Sequence, residues 1–502
     1  MKKYHEYMNE ISSDELLEGL IGHGLFADKL PPIFTSENFF NYLKNKYLDK
    51  NKELPFNVKS GKDYVRYENI RNVNIPRQLS IPNPFAYAKL AKTLAHNWEN
   101  LKEYFEKITK HHEYKISRIH IRKIRGEKHL FEMNYKSFFK DKNPELNLMV
   151  GKKYLVKSDI SNCFPSIYSH AIPWAIKGRE NSKESKNDWS DKIDEASRLI
   201  KHNESNGLLI GPHSSNIISE IILCKIDNEL YKKGYRFIRN IDDYECFTEN
   251  FVKAENFLLD LSKELKKYTL TLNIKKTVIK ELPLGSSNDW VHQLNSHTFL
   301  ENEKINLPKI RNFWDFVLEL FNKNEKNSSI LNYAIKIISK KKLNNYAIEY
   351  HYNIVHHLTL LFPYLVTLLD EYLFIPFIKD NKLIKSLSNN ILANGRKRNL
   401  FESMSYALFF AMKYNIKLDI SDLFKIVKDS NDTIFMLTSY LYEKKFGNDL
   451  TEYINLAREI SKNKEGDSNW IFIYEILPES ELYGDFKHIK RKKISFIKEE
   501  YR

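Results

Sequence analysis

Two aspartates stand side by side, Asp242 and Asp243, between Phe237-Ile238 on one side and Tyr244 and Phe247 on the other. The flanks are short runs of β-branched and aromatic residues, which favour strands, so the pair falls at the turn of a tight hairpin. Successive side chains on a strand point to opposite faces, but at such a turn both carboxylates can lean toward one ligand. Like charges this close raise each other's pKa unless a cation lies between them. Mg²⁺ takes oxygen ligands and accompanies phosphates, so it suits the turn. A solvated Asp-Asp turn satisfies the same few residues, and the rest of the chain decides between the two.

A second carboxylate ends a strand. Tyr154-Leu155-Val156-Lys157-Ser158 runs into Asp159, a turn follows, and a helix starts near Ser166. Asp159 is poised to bind metal, with the Ile160 carbonyl as a further oxygen; a helix cap is the competing use. Next comes a Lys/Glu/Ser/Asp-rich insert over 180–194, read as a surface excursion. Asn206-Gly207-Leu208-Leu209-Ile210-Gly211 then forms a loop opening a helix over 217–232. Its glycines allow close backbone approach to a ligand, and a helix start favours anions. Beyond the hairpin, 252–267 is a helix with Phe257, Leu258, Leu261 and Leu265 at helical spacing. Residues 270–277 return as a strand carrying Lys276.

Basic residues surround these elements. Lys62, Arg66, Arg71 and Arg77 precede a helix over 85–98, where they either clamp a triphosphate or form a solvated face. From Lys115 to Lys128 there are six Lys/Arg against one Glu, and Ile119-His120-Ile121-Arg122 alternates as a half-buried strand does. Arg118, Arg122, Lys123 and Arg125 there suit a surface that tracks a nucleic-acid backbone; a charged sheet edge is the other reading. The net charge of +14 favours a polyanionic partner, although a Lys-, Asn- and Ile-rich composition from an AT-rich genome yields the same charge. The three cysteines, 163, 224 and 246, have no zinc or disulfide spacing. No apolar run is long enough for a signal or a membrane span, so a cytoplasmic protein is expected.

The amino-terminal region is helical and irregular. Ser12-Ser13-Asp14-Glu15 reads as a capping box. Gly22-His23-Gly24 lacks the preceding strand that a dinucleotide site requires. From about 305 onward the pattern is helix after helix, at 15–20 residues each, which suggests stacked antiparallel pairs of the HEAT-like kind without a clean repeat. His351, His356 and His357 lack a metalloprotease pattern and read as packing or surface residues.

Strand-Asp, Gly loop and helix, Asp-Asp hairpin, helix, strand with Lys: this order is what a palm-type polymerase requires. Asp159, Asp242 and Asp243 would form a cluster holding two Mg²⁺, with Mn²⁺ as the alternative ion. The sequence resembles the reverse transcriptase family. Asp159 to Phe164 looks like its motif A, Asn206 to Pro212 its motif B, Arg239 to Tyr244 its motif C, and Leu272 to Thr277 its motif D. The resemblance implies Asp159 and Asp242 as the principal metal ligands, Asp243 as the third carboxylate, and Phe164 as the bulky group that rejects a ribose 2′-OH. It also implies nucleotide contacts from Asn206, Gly207 and Lys276 and from the Lys62, Arg66, Arg71 and Arg77 group. Asn240 replaces the usual motif C Tyr, and Asn206 stands where Gln normally precedes the motif B Gly; both positions touch primer and template rather than metal.

Finer wording, in Tyr67-Glu68-Asn69-Ile70-Arg71, Ile75-Pro76-Arg77-Gln78, Cys163-Phe164-Pro165-Ser166-Ile167-Tyr168 and Gly211-Pro212-His213-Ser214-Ser215-Asn216, resembles the bacterial abortive-infection (Abi) polymerases. That resemblance implies an α+β chain, with reverse-transcriptase-like fingers (about 1–150) and palm (about 151–300) in residues 1–300. An α-helical HEAT-like half over 301–502 follows. It implies untemplated DNA synthesis from dNTPs, primed on a Tyr hydroxyl, leaving single-stranded DNA attached to a homo-oligomer, a trimer or hexamer, in the bacterial cytoplasm. Tyr4, Tyr7, Tyr42 and Tyr47 are priming candidates, on the expectation of a mobile amino-terminal segment. A template-directed reverse transcriptase of retron or group II type, and a non-catalytic nucleic-acid-binding scaffold, are the competing readings.

Overall fold

A computed structural model describes residues 2–44, 53–56, 58–71, 76–118, 144–184, 187–285, 289–297, 299, 304–462 and 464–502. Strands β1 (Tyr64–Ile70) and β2 (Pro76–Pro82) form an antiparallel pair, Tyr64 opposite Pro82 and Ile70 opposite Pro76. Val65 and Tyr67 point into the core while Arg66 and Glu68 face out, as the two-residue period of a strand dictates. Asn83 caps the next helix: its Oδ1 accepts from the Phe85 and Ala86 N–H groups, and Pro84 fills the first turn, where no donor is missed. This helix, Pro84–His96, stops two residues short of its expected end, and a second, Trp98–Thr109, follows at once.

The centre of the molecule is a four-stranded antiparallel sheet of β3 (Tyr154–Asp159), β4 (Phe237–Asn240), β5 (Asp243–Thr248) and β6 (Val278–Glu281), in the order β4-β5-β3-β6. β3 pairs on both sides, with Asp159 opposite Asp243 and Lys157 opposite Val278. The long helix Ser214–Lys232 is apolar nearly all round and therefore buried, with Ile217, Ile221, Ile222 and Ile226 in the core. The helix Phe251–Lys266 packs on β3 and β5 through Ala254, Phe257, Leu261 and Leu265.

Two sequence expectations change here. Only the first part of the 180–194 segment is a surface excursion. Its second part belongs to the helix Trp189–Leu199, capped by Asp188, whose buried Ile193, Ala196 and Leu199 pack on the helix Pro84–His96. Residues 270–277 do not form a strand either. Leu272 makes a single bridge to Ile160, and Ile274–Lys276 is a 3₁₀ turn. The strand proper begins at Val278, and the turn before it carries Lys276 to the Asp159 carboxylate.

From Leu307 onward the chain is a run of helices, each packed on its next neighbours. Leu307–Lys323 contacts Ser328–Ile338 and Asn345–Leu361, and Phe401–Lys413 lies between Asn381–Arg398 and Thr433–Lys445. His351 is wholly buried there, accepts from the Trp314 indole N–H at 3.1 Å, and is pushed down to about 3 by burial, which fits a neutral packing residue. The helical run folds back onto β1: the Glu402 carboxylate accepts from the Ile70 N–H at 2.7 Å and from the Asn69 amide. Near the other end, the Thr35 N–H reaches the Phe496 carbonyl and the Lys498 N–H reaches the Ile33 carbonyl. Both halves thereby share one continuous apolar core. Among the described residues, no helix is long and apolar enough to cross a membrane.

Candidate active site

The hairpin forms as its sequence demands. β4 and β5 pair from Phe237–Cys246 to Asn240–Asp243, leaving Ile241 and Asp242 as the two turn residues. Ile241 has φ +54, a left-handed conformation that is a genuine outlier for a β-branched residue. The turn is stitched to the neighbouring strand end: the Ile160 N–H donates to the Asp242 carbonyl at 3.1 Å. The Asn273 N–H donates to the Asp159 carbonyl at 2.8 Å, and the Ser161 N–H to the Thr271 carbonyl at 2.8 Å. Asp159, Asp242 and the turn at 274–276 are thus brought together by backbone bonds alone.

The loop after Asn206 lies against the turn after Asp159. The Gly207 N–H reaches the Ile167 carbonyl and the Leu208 N–H the Phe164 carbonyl, both at 2.8 Å. Gly207 has φ +84, and a Cβ there would sit 2.8 Å from the Pro165 carbonyl oxygen, which is backbone and cannot move aside. Further along, the Ser80 N–H bonds the Ile210 carbonyl at 2.8 Å, and a Cβ on Gly211 (φ +135) would meet the Ser80 oxygen at 2.7 Å. Glycine at these positions lets the loop lie close against Pro165 on one side and against β2 at Ser80 on the other.

These elements border a cavity of about 520 Å³. Asp159, Ile160 and Asp242 line it together with Phe164, Gly207, Arg71, Arg77 and Lys276. Burial and the neighbouring Asp159 and Asp243 push the Asp242 carboxyl up to about 6, and burial with Asp159 raises Asp243 as well. Lys276 Nζ lies 2.5 Å from Asp159 Oδ2, and this bond raises the lysine. Asp159 Oδ1 is buried without a hydrogen-bond partner among the described residues.

Those facts allow a test of whether the residues fit a divalent cation. Among the described residues, no three His, Cys, Asp or Glu side chains surround one point as a closed cage. Asp243 stands exposed on β5, across from Asp159 and outside the cavity lining, so the three carboxylates are not gathered as tightly as the sequence suggested. Mg²⁺ seldom uses a dedicated protein cage; it binds through one or two carboxylates and completes its shell with water and substrate phosphate. Asp159, with an orphaned buried oxygen, and Asp242, whose charge is disfavoured by its neighbours, make that kind of site. The residues fit.

Several expected site residues lie elsewhere. Lys62 pairs with Asp467 at 3.5 Å, in the helical half, and does not line the cavity. Arg66 is held by Asp63 at 2.9 Å and stacks over the Tyr64 ring, leaving Arg71 and Arg77 as the cavity's arginines. The Asn206 side chain is exposed outside the lining, while its carbonyl accepts from Lys201. Arg118 is buried rather than presented to a ligand, because its N–H donates to the Arg239 carbonyl at 2.7 Å and draws it against β4. Arg122, Lys123 and Arg125, and the priming candidate Tyr47, lie outside the described residues.

The amino-terminal segment is packed where mobility was expected. Tyr4 is buried in the helix Tyr4–Asn9, donates to Glu220 Oε2 at 3.1 Å, and is pushed well above the ordinary phenol range by burial. It cannot reach the cavity from there without leaving the core. Tyr7 is half-buried with Lys2 and Lys115 over its ring, and the Tyr42 hydroxyl lies 2.7 Å from His488 Nε2. Conversely, Tyr64, Gln78, Lys201 and Asn273 line the cavity although the sequence assigns them no role. Gln78 and Asn273 had a discoverable signal, since both lie inside the stretches that carry the resemblance, whereas Tyr64 and Lys201 lie outside them.

Comparison with known proteins agrees with this geometry. Residues 91–332 match the family model for reverse transcriptase (RNA-dependent DNA polymerase). Those residues carry a reverse-transcriptase-like polymerase domain, of a class that generally works with divalent cations, typically Mg²⁺. No curated protein sequence matches it. Among solved structures it is similar to apo telomerase from Candida tropicalis truncated from its C-terminal domain, at 18% identity and TM-score 0.29 over 50% of this chain and 57% of that one. It is also similar to telomerase from the same organism in complex with the TWJ fragment of telomeric RNA, at 14% identity and TM-score 0.30 over 74% and 68%. A third likeness is to the apo telomerase, at 13% and TM-score 0.32 over 78% and 76%. This chain spans little more than half of the truncated telomerase. Likeness at these scores carries no argument about fold or activity.

Proposed function

We propose that the chain is a DNA polymerase that primes on a tyrosine hydroxyl and extends without a template, in the abortive-infection defence of a bacterium against phage. The observation that carries the nucleotidyl-transfer part is the cavity itself, a space of about 520 Å³ lined by Asp159 and Asp242 together with Arg71 and Arg77. The untemplated, protein-primed part is supported by the Abi-like wording of the motifs, and by Asn240 and Asn206 at positions that normally meet primer and template. In this reading residues 1–300 are fingers and palm, 301–502 a HEAT-like half, and the protein works as a homo-oligomer in the cytoplasm.

Arg71 and Arg77 bind the triphosphate of an incoming dNTP, and Phe164 closes the sugar side against a 2′-OH. Asp159, Asp242 and the Ile160 carbonyl would hold two Mg²⁺, with Asp243 adding charge; bound there, the ions lower the pKa of the attacking hydroxyl and neutralise the departing pyrophosphate. A Tyr hydroxyl, with an ordinary pKa near 10, needs such activation to become a nucleophile. Its oxygen bonds to the α-phosphorus, the bond to the bridging oxygen breaks, and pyrophosphate leaves. A DNA 3′-OH repeats the step thereafter. Lys276, which pairs with Asp159 and lines the same cavity, would add positive charge for the triphosphate.

The competing reading, a template-directed reverse transcriptase, is favoured by the family match over 91–332. Incubating the protein with labelled dNTPs and Mg²⁺, without template or primer, separates the two. Label that migrates with the protein and shifts on proteolysis is the expected result. Extension only after a primer–template is supplied would leave a templated enzyme. Absence of incorporation under both conditions would leave the nucleic-acid-binding scaffold.

A further inference from the structure

Arg239 opens the hairpin motif and is among the largest fully buried side chains of the described residues. Its guanidinium carries five N–H donors in a fixed fork. Nε donates to Asp227 Oδ1 and Oδ2 at 3.0 and 2.9 Å, and Nη2 to Asp227 Oδ2 at 2.7 Å and Glu220 Oε2 at 3.2 Å. Nη1 donates to Glu220 Oε1 at 2.7 Å and to the Ile241 carbonyl at 2.7 Å. Both carboxylates come from the helix Ser214–Lys232, which anchors the fork from behind the sheet.

The last of those bonds bears on the reaction. Ile241 holds a left-handed conformation that costs an L residue ~1–2 kcal/mol, and the cost is greater than for the Asn, Asp or Gly that usually occupy such turns. Something must hold it. The carbonyl of Ile241 is fixed by Arg239, and the carbonyl of the next residue, Asp242, is fixed by the Ile160 N–H. With both peptide units pinned, the direction in which Asp242 leaves the turn is set.

We propose that Arg239 is a positioning residue for catalysis: its bond to the Ile241 carbonyl holds the strained turn that aims Asp242 at the cavity. This rests on the reading of Asp242 as a catalytic metal ligand. Arg239 touches neither the cavity nor a substrate, so its loss acts through Asp242 and not through nucleotide binding.

The experiment measures kcat and KM for dNTP incorporation in four variants of the full chain, each checked for folding by circular dichroism and thermal melting. Asp242→Asn is the control for the underlying reading. Arg239→Lys keeps a positive charge between Glu220 and Asp227 but replaces the fork, and Arg239→Met removes both. The fourth combines Arg239→Lys with Ile241→Gly, because glycine adopts a positive φ without help. For Arg239→Lys we expect kcat to fall ~10–100-fold, the scale of a small misplacement of a reacting group, with KM changed less than about twofold. Ile241→Gly in that background is expected to recover most of the lost kcat. A purely structural arginine would show no such recovery, since the glycine also removes packing.

If Arg239→Met does not fold, the lysine pair decides alone. Full kcat in folded Arg239→Lys, or a loss that Ile241→Gly leaves untouched, overturns the inference while Asp242→Asn remains inactive. Activity surviving in Asp242→Asn instead overturns the catalytic assignment beneath it.

Discussion

On the core side of the hairpin, two carboxylates, Glu220 and Asp227, meet one guanidinium, and each Arg239 donor finds an acceptor. On the pocket side, Asp159, Asp242 and Asp243 meet one exposed lysine, and a buried oxygen of Asp159 has no partner among the described residues. The same short stretch of chain supports both. A buried ion group is tolerable only when its hydrogen bonds are complete, because desolvation is otherwise uncompensated. The core side meets that condition with the protein's own groups. The pocket side does not: around Asp159 the carboxylates outnumber the lysine, and a divalent cation has the sign needed to offset them. Charge left uncompensated at one place and satisfied a few ångströms away marks the first as a site and the second as its support.

Neutralising one carboxylate on each side should therefore give opposite results. Asp242→Asn is expected to cut nucleotide incorporation by ~10³-fold or more, the scale for loss of a transition-state charge stabiliser. It should at the same time raise the metal-free melting temperature, since it relieves repulsion from Asp159 and Asp243. Asp227→Asn should do the reverse to stability, lowering it. Incorporation assays paired with melts in chelator test this directly. A drop in metal-free stability for Asp242→Asn would end the contrast.

The core side can be probed as a unit. Arg239→Met leaves two buried carboxylates without their cation and should cost ~3–5 kcal/mol in denaturant melts. Adding Glu220→Gln and Asp227→Asn to that variant removes the stranded charge, and most of the lost stability should return. Activity should not, because nothing then holds the Ile241 carbonyl. Stability that stays low in the triple variant would mean that the fork's shape, rather than its charge balance, is what the core requires.

The pocket side was legible in the sequence to the extent that its groups lie on the backbone order. Asp159 at a strand end, Asp242 in a two-residue turn and Gly207 against a neighbouring carbonyl follow from local propensity plus the order of elements. Arg71 against Arg66 did not, because both fit a basic clamp and only the Asp63 and Tyr64 contacts show which one is occupied. The core side was not legible. Glu220 and Asp227 sit on a helix that reads as ordinary, and their partner lies across the sheet, so no spacing rule connects them. Arg118 fails for the same reason: a basic, Ile-interleaved stretch suggests a ligand surface, but its backbone is bonded to the Arg239 carbonyl at a sheet edge. Residues 270–277 show a third cause, backbone bonding: the Asn273 N–H takes the Asp159 carbonyl and the chain then closes a 3₁₀ turn on itself.

A smaller effect is the pH dependence that Asp242 itself contributes. Burial and like charge hold the Asp242 carboxyl at about 6 in the fold, against an ordinary value near 3.9. A carboxyl raised in this way contributes stability that is fully present below the ordinary value and is lost as pH rises through the folded one. Metal-free protein should thus gain ~1 kcal/mol from this group on going from pH 7.5 to pH 4.5, after allowance for partial solvent screening. Asp242→Asn should lack that increment. At pH 7.5, Mg²⁺ should raise the melting temperature of the unaltered protein, and chelator should reverse the gain. Burial also raises Asp227, Asp432 and Glu402, which contribute alike to the unaltered protein and to Asp242→Asn, so the test is the difference between their increments, and equal increments would remove Asp242 as a source.

The smallest change is the most telling about priming. Tyr4 donates one hydrogen bond to Glu220 and so extends the core-side network to the amino-terminal helix. Tyr4→Phe removes the hydroxyl and little else, which should cost ~0.5–1.5 kcal/mol, the net worth of a buried hydrogen bond with its acceptor still served by Arg239. Protein-attached label should persist in this variant, since a hydroxyl held at Glu220 is both distant from the pocket lining and a poor nucleophile. Loss of all attached label in a folded Tyr4→Phe protein would require the helix Tyr4–Asn9 to leave its place, exposing the Arg239 network each time a strand begins. That outcome would join the two sides of the hairpin into one moving part, and the Mg²⁺-dependent stability of Tyr4→Phe against that of the unaltered protein would then measure how strongly they are coupled.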